Sequence, residues 1–203
     1  MDVVIVDYGA GNLASVIKAF RAIGRAPSVS ADPDVIAHAR AIVVPGVGHF
    51  ERTAAITAAM RAAIGEALRS GAALAGICLG MQWLFEGSRE APGIAGLGAL
   101  PGECDVLPAS AAIKIPHVGW NRLVTTGVNS RLLEDVGPAA YAYFTHAYVA
   151  PATDVATAVS THGVTFPVVV EQGRVSGLQF HPEKSGATGL KILRNFMRLA
   201  EAG

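Results

Sequence analysis

Short apolar runs alternate with segments of helical period along this chain. Val3-Val4-Ile5-Val6 carries no polar break, which marks a strand covered on both faces, and residues 2–6 are read as the first strand. From about Gly11 to Ile23, the residues Leu13, Val16, Ile17, Phe20 and Ile23 recur at helical spacing and predict a helix with one apolar face. A strand over Ala41 to Val44 leads through Pro45-Gly46-Val47-Gly48 into a long helix ending near Ser70-Gly71, and residues 72–77 read as another buried strand. Between Gly93 and about Asn129 the chain is rich in glycine and loops, and the pattern does not place the short strands there. Beyond that stretch Tyr141 to Tyr148, Ala156 to Thr161, Pro167 to Glu171 and Arg174 to Phe180 read as strands, the later ones hairpin-linked and antiparallel. Ala187 to Ala200 closes the chain as a helix with Leu190, Leu193, Phe196, Met197 and Ala200 on one face. The alternation predicts an α/β fold of three layers, a mostly parallel sheet with helices on both faces and right-handed crossovers. At 203 residues the chain suits one domain, read as spanning 1–203, with no repeat or linker.

Charge and cysteine content narrow the function classes. Sixteen basic and 16 acidic residues cancel, so no basic excess points to nucleic acid or an anionic membrane, and neither is expected as a partner. Two cysteines leave no disulfide framework, and Cys104 reads as an ordinary structural thiol. The chain opens directly on a strand, and no apolar run reaches membrane-spanning length, which makes a reducing cytoplasm the expected compartment. No cluster has metal-ligand spacing, so no metal or cofactor is expected, and His38, His49 and His162 stand without a constellation.

Gly76-Ile77-Cys78-Leu79-Gly80 changes this picture. A cysteine with a glycine two residues away on each side, between the strand 72–77 and a helix opening at Met81-Gln82-Trp83-Leu84-Phe85, is the thiol form of a nucleophile elbow. Such a turn needs close backbone packing on both sides of the nucleophile, which glycine permits. Cys78 would sit at a helix N-terminus, where backbone N–H groups and the helix dipole favour a thiolate. A lone cysteine in an apolar run would instead be a buried small hydrophobe; the paired glycines and the strand-to-helix switch favour the elbow. About a hundred residues on, Gly177-Leu178-Gln179-Phe180-His181-Pro182-Glu183-Lys184-Ser185 offers a base and its partner. His181 can protonate a leaving amine, and Glu183 can fix the imidazole's tautomer and orientation. Residues two apart in extended chain project to one side, and Pro182 holds the backbone extended there.

These two segments resemble the catalytic signatures of class I glutamine amidotransferases. Four further segments resemble one branch of that family, the glutaminase subunits of imidazole glycerol phosphate synthase: Val6-Asp7-Tyr8-Gly9-Ala10-Gly11-Asn12-Leu13, Pro45-Gly46-Val47-Gly48, Lys114-Ile115-Pro116-His117-Val118-Gly119-Trp120-Asn121 and Tyr143-Phe144-Thr145-His146-Ala147-Tyr148. The resemblance runs from the first strand to the last helix. It implies a Cys78, His181, Glu183 triad that hydrolyses glutamine to glutamate and ammonia. It also implies a heterodimer with a (β/α)₈-barrel cyclase subunit, which uses the ammonia to make imidazole glycerol phosphate and aminoimidazole carboxamide ribotide in histidine biosynthesis. The chain shows no second domain that could bind and cyclise a nucleotide, which fits a separate partner.

The resemblance extends to the remaining site residues. Ligands of open α/β sheets bind outside the carboxyl ends of the strands, which puts the loops of Gly9, Gly46 and Cys78 on one edge. There Val47 and Gly48, with Leu79 after the nucleophile, would supply backbone N–H donors to an oxyanion; on spacing alone Pro45 to Gly48 is a plain strand-to-helix turn. Gly46, Gln82, Glu90 and His146 match positions around bound glutamine, with Glu90 facing its ammonium. Without the resemblance Glu90 would be a solvated carboxylate and His146 a core histidine. Ala147 departs from the pattern, since a serine commonly follows that histidine, so any side-chain hydrogen bond there is lost. Asn12, Trp120, Tyr143 and Lys184 fall at or near the implied partner contact, Trp120 as an apolar anchor and Lys184 as a salt-bridge donor. Their plainer readings are a core tryptophan and tyrosine and a solvated lysine.

Two other readings stay open. Another class I glutaminase, such as the one serving pyridoxal phosphate synthesis, shares the triad and the length, but Asp7 to Asn12 and Lys114 to Asn121 argue against it. A thiol peptidase or a non-catalytic scaffold on the same fold would fail to release glutamate from glutamine.

Overall fold

Three runs without a polar side chain, Val3–Val6, Ala41–Val44 and Ala73–Ile77, are buried at every position and become strands of one sheet. The structure, a computed structural model, describes residues 3–109 and 113–202, so Asp2, the expected start of the first strand, lies outside the described residues. In chain order the elements are β1 (Val3–Val6), α1 (Leu13–Ala22), β2 (Pro27–Ser30), α2 (Pro33–Ala37), β3 (Ala41–Val44), a 3₁₀ turn (Phe50–Ala55), α3 (Ala58–Arg69), β4 (Ala73–Ile77), α4 (Leu79–Trp83) and β5 (Gly87–Ser88). There follow β6 (Glu103–Val106), β7 (His117–Arg122), β8 (Val124–Thr125), β9 (Tyr141–His146), β10 (Tyr148–Val149), β11 (Ala156–His162), β12 (Val164–Gln172), β13 (Val175–Leu178), a second 3₁₀ turn (Pro182–Lys184) and α5 (Gly186–Glu201).

The main sheet has eight strands in the order β2-β1-β3-β4-β13-β12-β11-β8. From β2 to β13 the neighbours are parallel, and β12, β11 and β8 extend the sheet as antiparallel strands. Alternation along β1 sends its side chains to two cores. Val3 and Ile5 pack with Val16 and Phe20 of α1 and Ile192 and Phe196 of α5, whereas Val4 and Val6 pack with Ile36 of α2 and Met60 and Ile64 of α3. The result is the expected three-layer α/β fold.

Three local expectations are corrected. The long helix after Gly48 is two pieces, because the Thr57 side chain accepts from Met60 N and caps α3, ending the preceding 3₁₀ turn. The strand expected over Tyr141 to Tyr148 breaks at Ala147: β9 pairs with β7, while β10 pairs with β6 in another sheet. Ala147 lies between, and its carbonyl accepts from Leu107 N. His181 is extended, but Pro182–Lys184 is a 3₁₀ turn rather than extended chain, so Glu183 reaches back to His181 through a turn.

Candidate active site

Cys78 sits between β4 and α4 with φ 53° and ψ −107°, a backbone conformation costly for any side chain. Backbone contacts force both neighbouring glycines. A Cβ on Gly76 would lie 2.4 Å from the Gly80 carbonyl oxygen, and one on Gly80 would lie 1.8 Å from the Val44 carbonyl oxygen. The elbow is tied to the neighbouring strand, as Cys78 N donates to Leu178 O at 2.7 Å. β13 runs parallel to β4 with Leu178 opposite Ile77, so the chain leaving β13 carries His181 to the same sheet edge as Cys78.

His181 is buried, and its Nδ1 lies 2.8 Å from Glu183 Oε1, both side chains being 2% exposed. Its backbone is fixed as well: His181 N donates to Tyr143 O at 2.9 Å, and Ser185 Oγ donates to His181 O at 2.6 Å. The other ring nitrogen, Nε2, is buried without a hydrogen-bond partner, which leaves it available to a thiol proton. Burial alone would lower the pKa of His181. Interaction with Cys78 and Glu183 outweighs that and raises it from 6.5 to about 9. Nε2 makes no hydrogen bond of normal length to the thiol, and the charge of Cys78 still favours the protonated ring. The thiol itself makes a weak contact to Thr145 O at 3.8 Å.

A small pocket opens at Cys78 and is lined also by Gly48, Leu79, Gln82, Glu90 and the Thr145–Tyr148 wall. Glu90 Oε2 accepts from Phe50 N at 2.8 Å, which orients its carboxylate. Gln82 is buried and donates to Tyr148 O at 2.9 Å. His146 is buried with both ring nitrogens engaged, Nδ1 to Tyr148 O at 3.0 Å and Nε2 to His117 Nδ1 at 3.1 Å. Its ring is therefore a wall of the pocket, and its polar atoms are already used.

Pro45–Gly48 is pressed against the elbow. Tyr8 Oη donates to Pro45 O at 2.6 Å, and a Cβ on Gly46 would lie 2.4 Å from Tyr8 Oη and 2.7 Å from Leu79 Cβ. Burial, followed by the charge of Cys78, pushes the Tyr8 pKa upward, so its hydroxyl keeps the proton it donates. Gly48 has φ +94° and reaches the pocket; Val47 is half-buried outside the pocket lining.

At the surface Trp120 is 57% exposed and meets the Tyr143 ring edge-on at 6.2 Å, while Lys184 Nζ stands 5.8 Å from the centre of the same ring. Trp120 is thus no core residue. Lys184 makes no ion pair among the described residues, and its charge faces an aromatic ring. Asn12 caps α1, its Oδ1 accepting from Ser15 N at 3.2 Å.

Several residues at the site lie in segments singled out above but carry no role there. Gln179 accepts from Gln82 Nε2 and donates toward Cys78 Sγ at 3.9 Å. Tyr8 and the Thr145 carbonyl act through contacts that only the assembled strands create. His162, read as isolated, stacks on His117 with ring centres 4.3 Å apart.

The sequence pattern of the family described as "Glutamine amidotransferase class-I" matches residues 4–200. The chain is 43% identical over 201 residues to the imidazole glycerol phosphate synthase subunit HisH of Deinococcus radiodurans, covering 97% of this chain and 93% of that one. It is 41% identical over 201 residues to the HisH subunit of Methanothermobacter thermautotrophicus, covering 98% and 100%. A solved glutamine amidotransferase superposes with a TM-score of 0.75 at 21% identity over 98% of both chains, which speaks for the fold. A match over nearly the whole length, joined to relatives this similar, places the chain: it belongs to the class I glutamine amidotransferase family.

Proposed function

We propose that this chain is the glutaminase subunit of an imidazole glycerol phosphate synthase, one domain working in the cytoplasm beside a separate cyclase subunit. The observation that carries the reading is the 2.8 Å pairing of His181 with Glu183 at the strand end beside the Cys78 elbow. Similarity to HisH subunits supplies the use of the ammonia. The Cys78 thiolate attacks the side-chain amide carbon of glutamine, and backbone N–H groups of Leu79 and of the Val47–Gly48 segment hold the oxyanion. His181, as imidazolium, gives its proton to the leaving nitrogen, so ammonia departs and a glutamyl thioester remains. Water, giving a proton to the same imidazole, attacks the thioester; glutamate leaves and the thiol is restored. Glu90 takes the substrate's ammonium, while Gly46, Gln82 and His146 shape the pocket around it.

Free ammonia would be protonated and diluted in neutral water. It is therefore passed to the (β/α)₈-barrel cyclase of a heterodimer, which makes imidazole glycerol phosphate and aminoimidazole carboxamide ribotide in histidine biosynthesis. Asn12, Trp120, Tyr143 and Lys184 form or border the contact with that cyclase. The test is glutamate release from glutamine by the chain mixed with the cyclase and, separately, with the synthase of pyridoxal phosphate formation. Turnover with the cyclase is expected; stimulation by the other synthase alone, or cleavage of peptides without glutamine hydrolysis, would overturn the reading.

A further inference from the structure

Three buried or half-buried histidines lie beside the pocket, and the reaction uses none of their nitrogens. His117 on β7 stands opposite His146 on β9, and its ring is sandwiched between Phe144, with centres 4.9 Å apart, and His162, 4.3 Å apart. They do not form a metal site: no group of three or more His, Cys, Asp or Glu side chains among the described residues is placed to hold an ion. His117 and His146 form a hydrogen-bond chain whose direction can be worked out from its ends, while His162 stacks on His117.

A carbonyl only accepts. Tyr148 O, 3.0 Å from His146 Nδ1, therefore requires the proton on Nδ1 and leaves His146 Nε2 as an acceptor. His117 Nδ1, 3.1 Å away, must then be the donor, which leaves His117 Nε2 to accept from Asn121 Nδ2 at 3.2 Å. The far end agrees independently. Asn121 Oδ1 accepts from Arg122 N at 2.8 Å, and Asn121 Nδ2 also donates to Thr161 O at 2.9 Å, which fixes that amide in the orientation the chain needs. The chain requires both imidazoles neutral. Burial, with the neighbouring His162 next, pushes His117 down to about 4, and burial, with His117 next, pushes His146 down to about 3.

The chain ends on Tyr148 O, which also receives Gln82 Nε2, and on the wall whose Thr145 carbonyl touches Cys78. It begins on β7 next to the exposed Trp120. We propose that His117 is a positioning residue for glutamine: it is the middle link of a one-way chain from Asn121 through His117 and His146 to the Tyr148 carbonyl, and it holds the Thr145–Tyr148 wall at the distance from Cys78 that the substrate needs. This rests on the reading of the pocket as a glutamine site.

Two substitutions separate a hydrogen-bonding role from packing. His117→Phe keeps a ring between Phe144 and His162 but removes both nitrogens; His117→Asn loses the ring and keeps a donor near Nδ1. In the full chain with its cyclase, His117→Phe should raise KM for glutamine about tenfold with kcat within about threefold, the size expected for losing the buried bond to His146 that braces the wall. Synthesis from added ammonia should stay unchanged, and His117→Asn should recover most of the KM while melting at a lower temperature. The opposite order, with the Phe variant near wild type and the Asn variant impaired in KM, would overturn the proposal. If His117→Phe fails to fold, Asn121→Ala decides: severing the outer link should raise KM about threefold, and an unchanged KM would overturn it. Nitrogen correlation spectra of the wild-type imidazoles should show protons on Nδ1 of both His117 and His146; an Nε2 proton on either would also overturn it. Wild-type chain that releases no glutamate with its cyclase would overturn the glutamine reading itself, a failure visible before any variant is compared.

Discussion

Gly80 packs so closely against Val44 that a Cβ on it would meet the Val44 carbonyl oxygen at 1.8 Å, deep inside van der Waals contact. The residue two after Cys78 thus lets the first turn of α4 lie on β3, and the elbow depends on that approach. Gly80→Ala should cost about 3 kcal/mol or more, since backbone rather than a flexible side chain must move. Denaturant unfolding of the purified chain measures it, and a loss under about 1 kcal/mol would mean the elbow tolerates repacking.

Removing the nucleophile separates its chemical role from its conformational cost. Cys78→Ala should lower glutamine hydrolysis by about four orders of magnitude or more while synthesis from added ammonia continues. Cys78→Gly should be equally inactive but more stable than Cys78→Ala by about 1 kcal/mol, because φ 53° suits glycine. Comparing the two inactive variants by thermal melting isolates the strain. Equal stability would remove strain from the account.

The pKa of about 9 at His181 sets the pH window. Raised above its ordinary 6.5, it keeps the imidazolium that protonates the leaving ammonia until pH rises through about 9, so the profile of kcat/KM should fall on that side. The linkage has the same sign: the stability gained from this shift is present below pH 6.5 and lost as pH passes about 9. Glu183→Gln removes one of the charges that raise the pKa, so the alkaline limb should move to lower pH. Turnover should fall about a hundredfold, less than the roughly thousandfold or greater loss for His181→Ala. Equal losses, or an unmoved limb, would count against an orienting role for Glu183.

Tyr8 holds Pro45 O at 2.6 Å and thereby the first peptide of the segment beside Leu79. Tyr8→Phe should lower kcat about tenfold with KM within about twofold, the signature of weakened oxyanion donors rather than weakened binding. Alkylation of Cys78 by iodoacetamide should proceed at the wild-type rate. A lower melting temperature with kcat intact would show that the hydroxyl serves stability alone.

Trp120 and Lys184 flank the Tyr143 ring at the surface. Trp120→Ala should weaken binding to the cyclase by about 2 kcal/mol, as expected for a large exposed anchor, and Lys184→Ala by less. The isolated chain should hydrolyse glutamine poorly, and the cyclase carrying its nucleotide should raise turnover strongly in wild type and weakly in both variants. Calorimetry and turnover with and without that nucleotide test both statements. Full activity in the isolated chain would sink the second.

Much of the site was legible because its signals are local. The apolar runs of β1, β3 and β4 mark buried strands by composition alone, and Gly76 is required by a backbone contact within the elbow itself, whereas Gly80 is required by Val44 of β3. His181 and Glu183 were legible as a base and its orienting carboxylate from their spacing around Pro182, and the resemblance to class I amidotransferases then supplied glutamine as the substrate. β7 was not legible, because its alternating half-exposed residues, His117–Arg122, carry no apolar run and earn their strand from pairing with β9.

Sequence by itself determined the main alternation of buried strands and helices outside Gly93 to Asn129, the elbow, and the pairing of His181 with Glu183, since these signals lie in residues within a few positions of one another. Tertiary structure alone decided that β13 lies beside β4, bringing Gln179 to Cys78 across 101 residues, that β1 lies beside β3, bringing Tyr8 to Pro45 across 37, and that β7 lies beside β9, bringing His117 to His146 across 29. Strand neighbours are selected by how whole faces fit together. A buried polar side chain must then bond to whatever group that packing sets opposite it, because leaving it unpaired costs more than the bond returns in water.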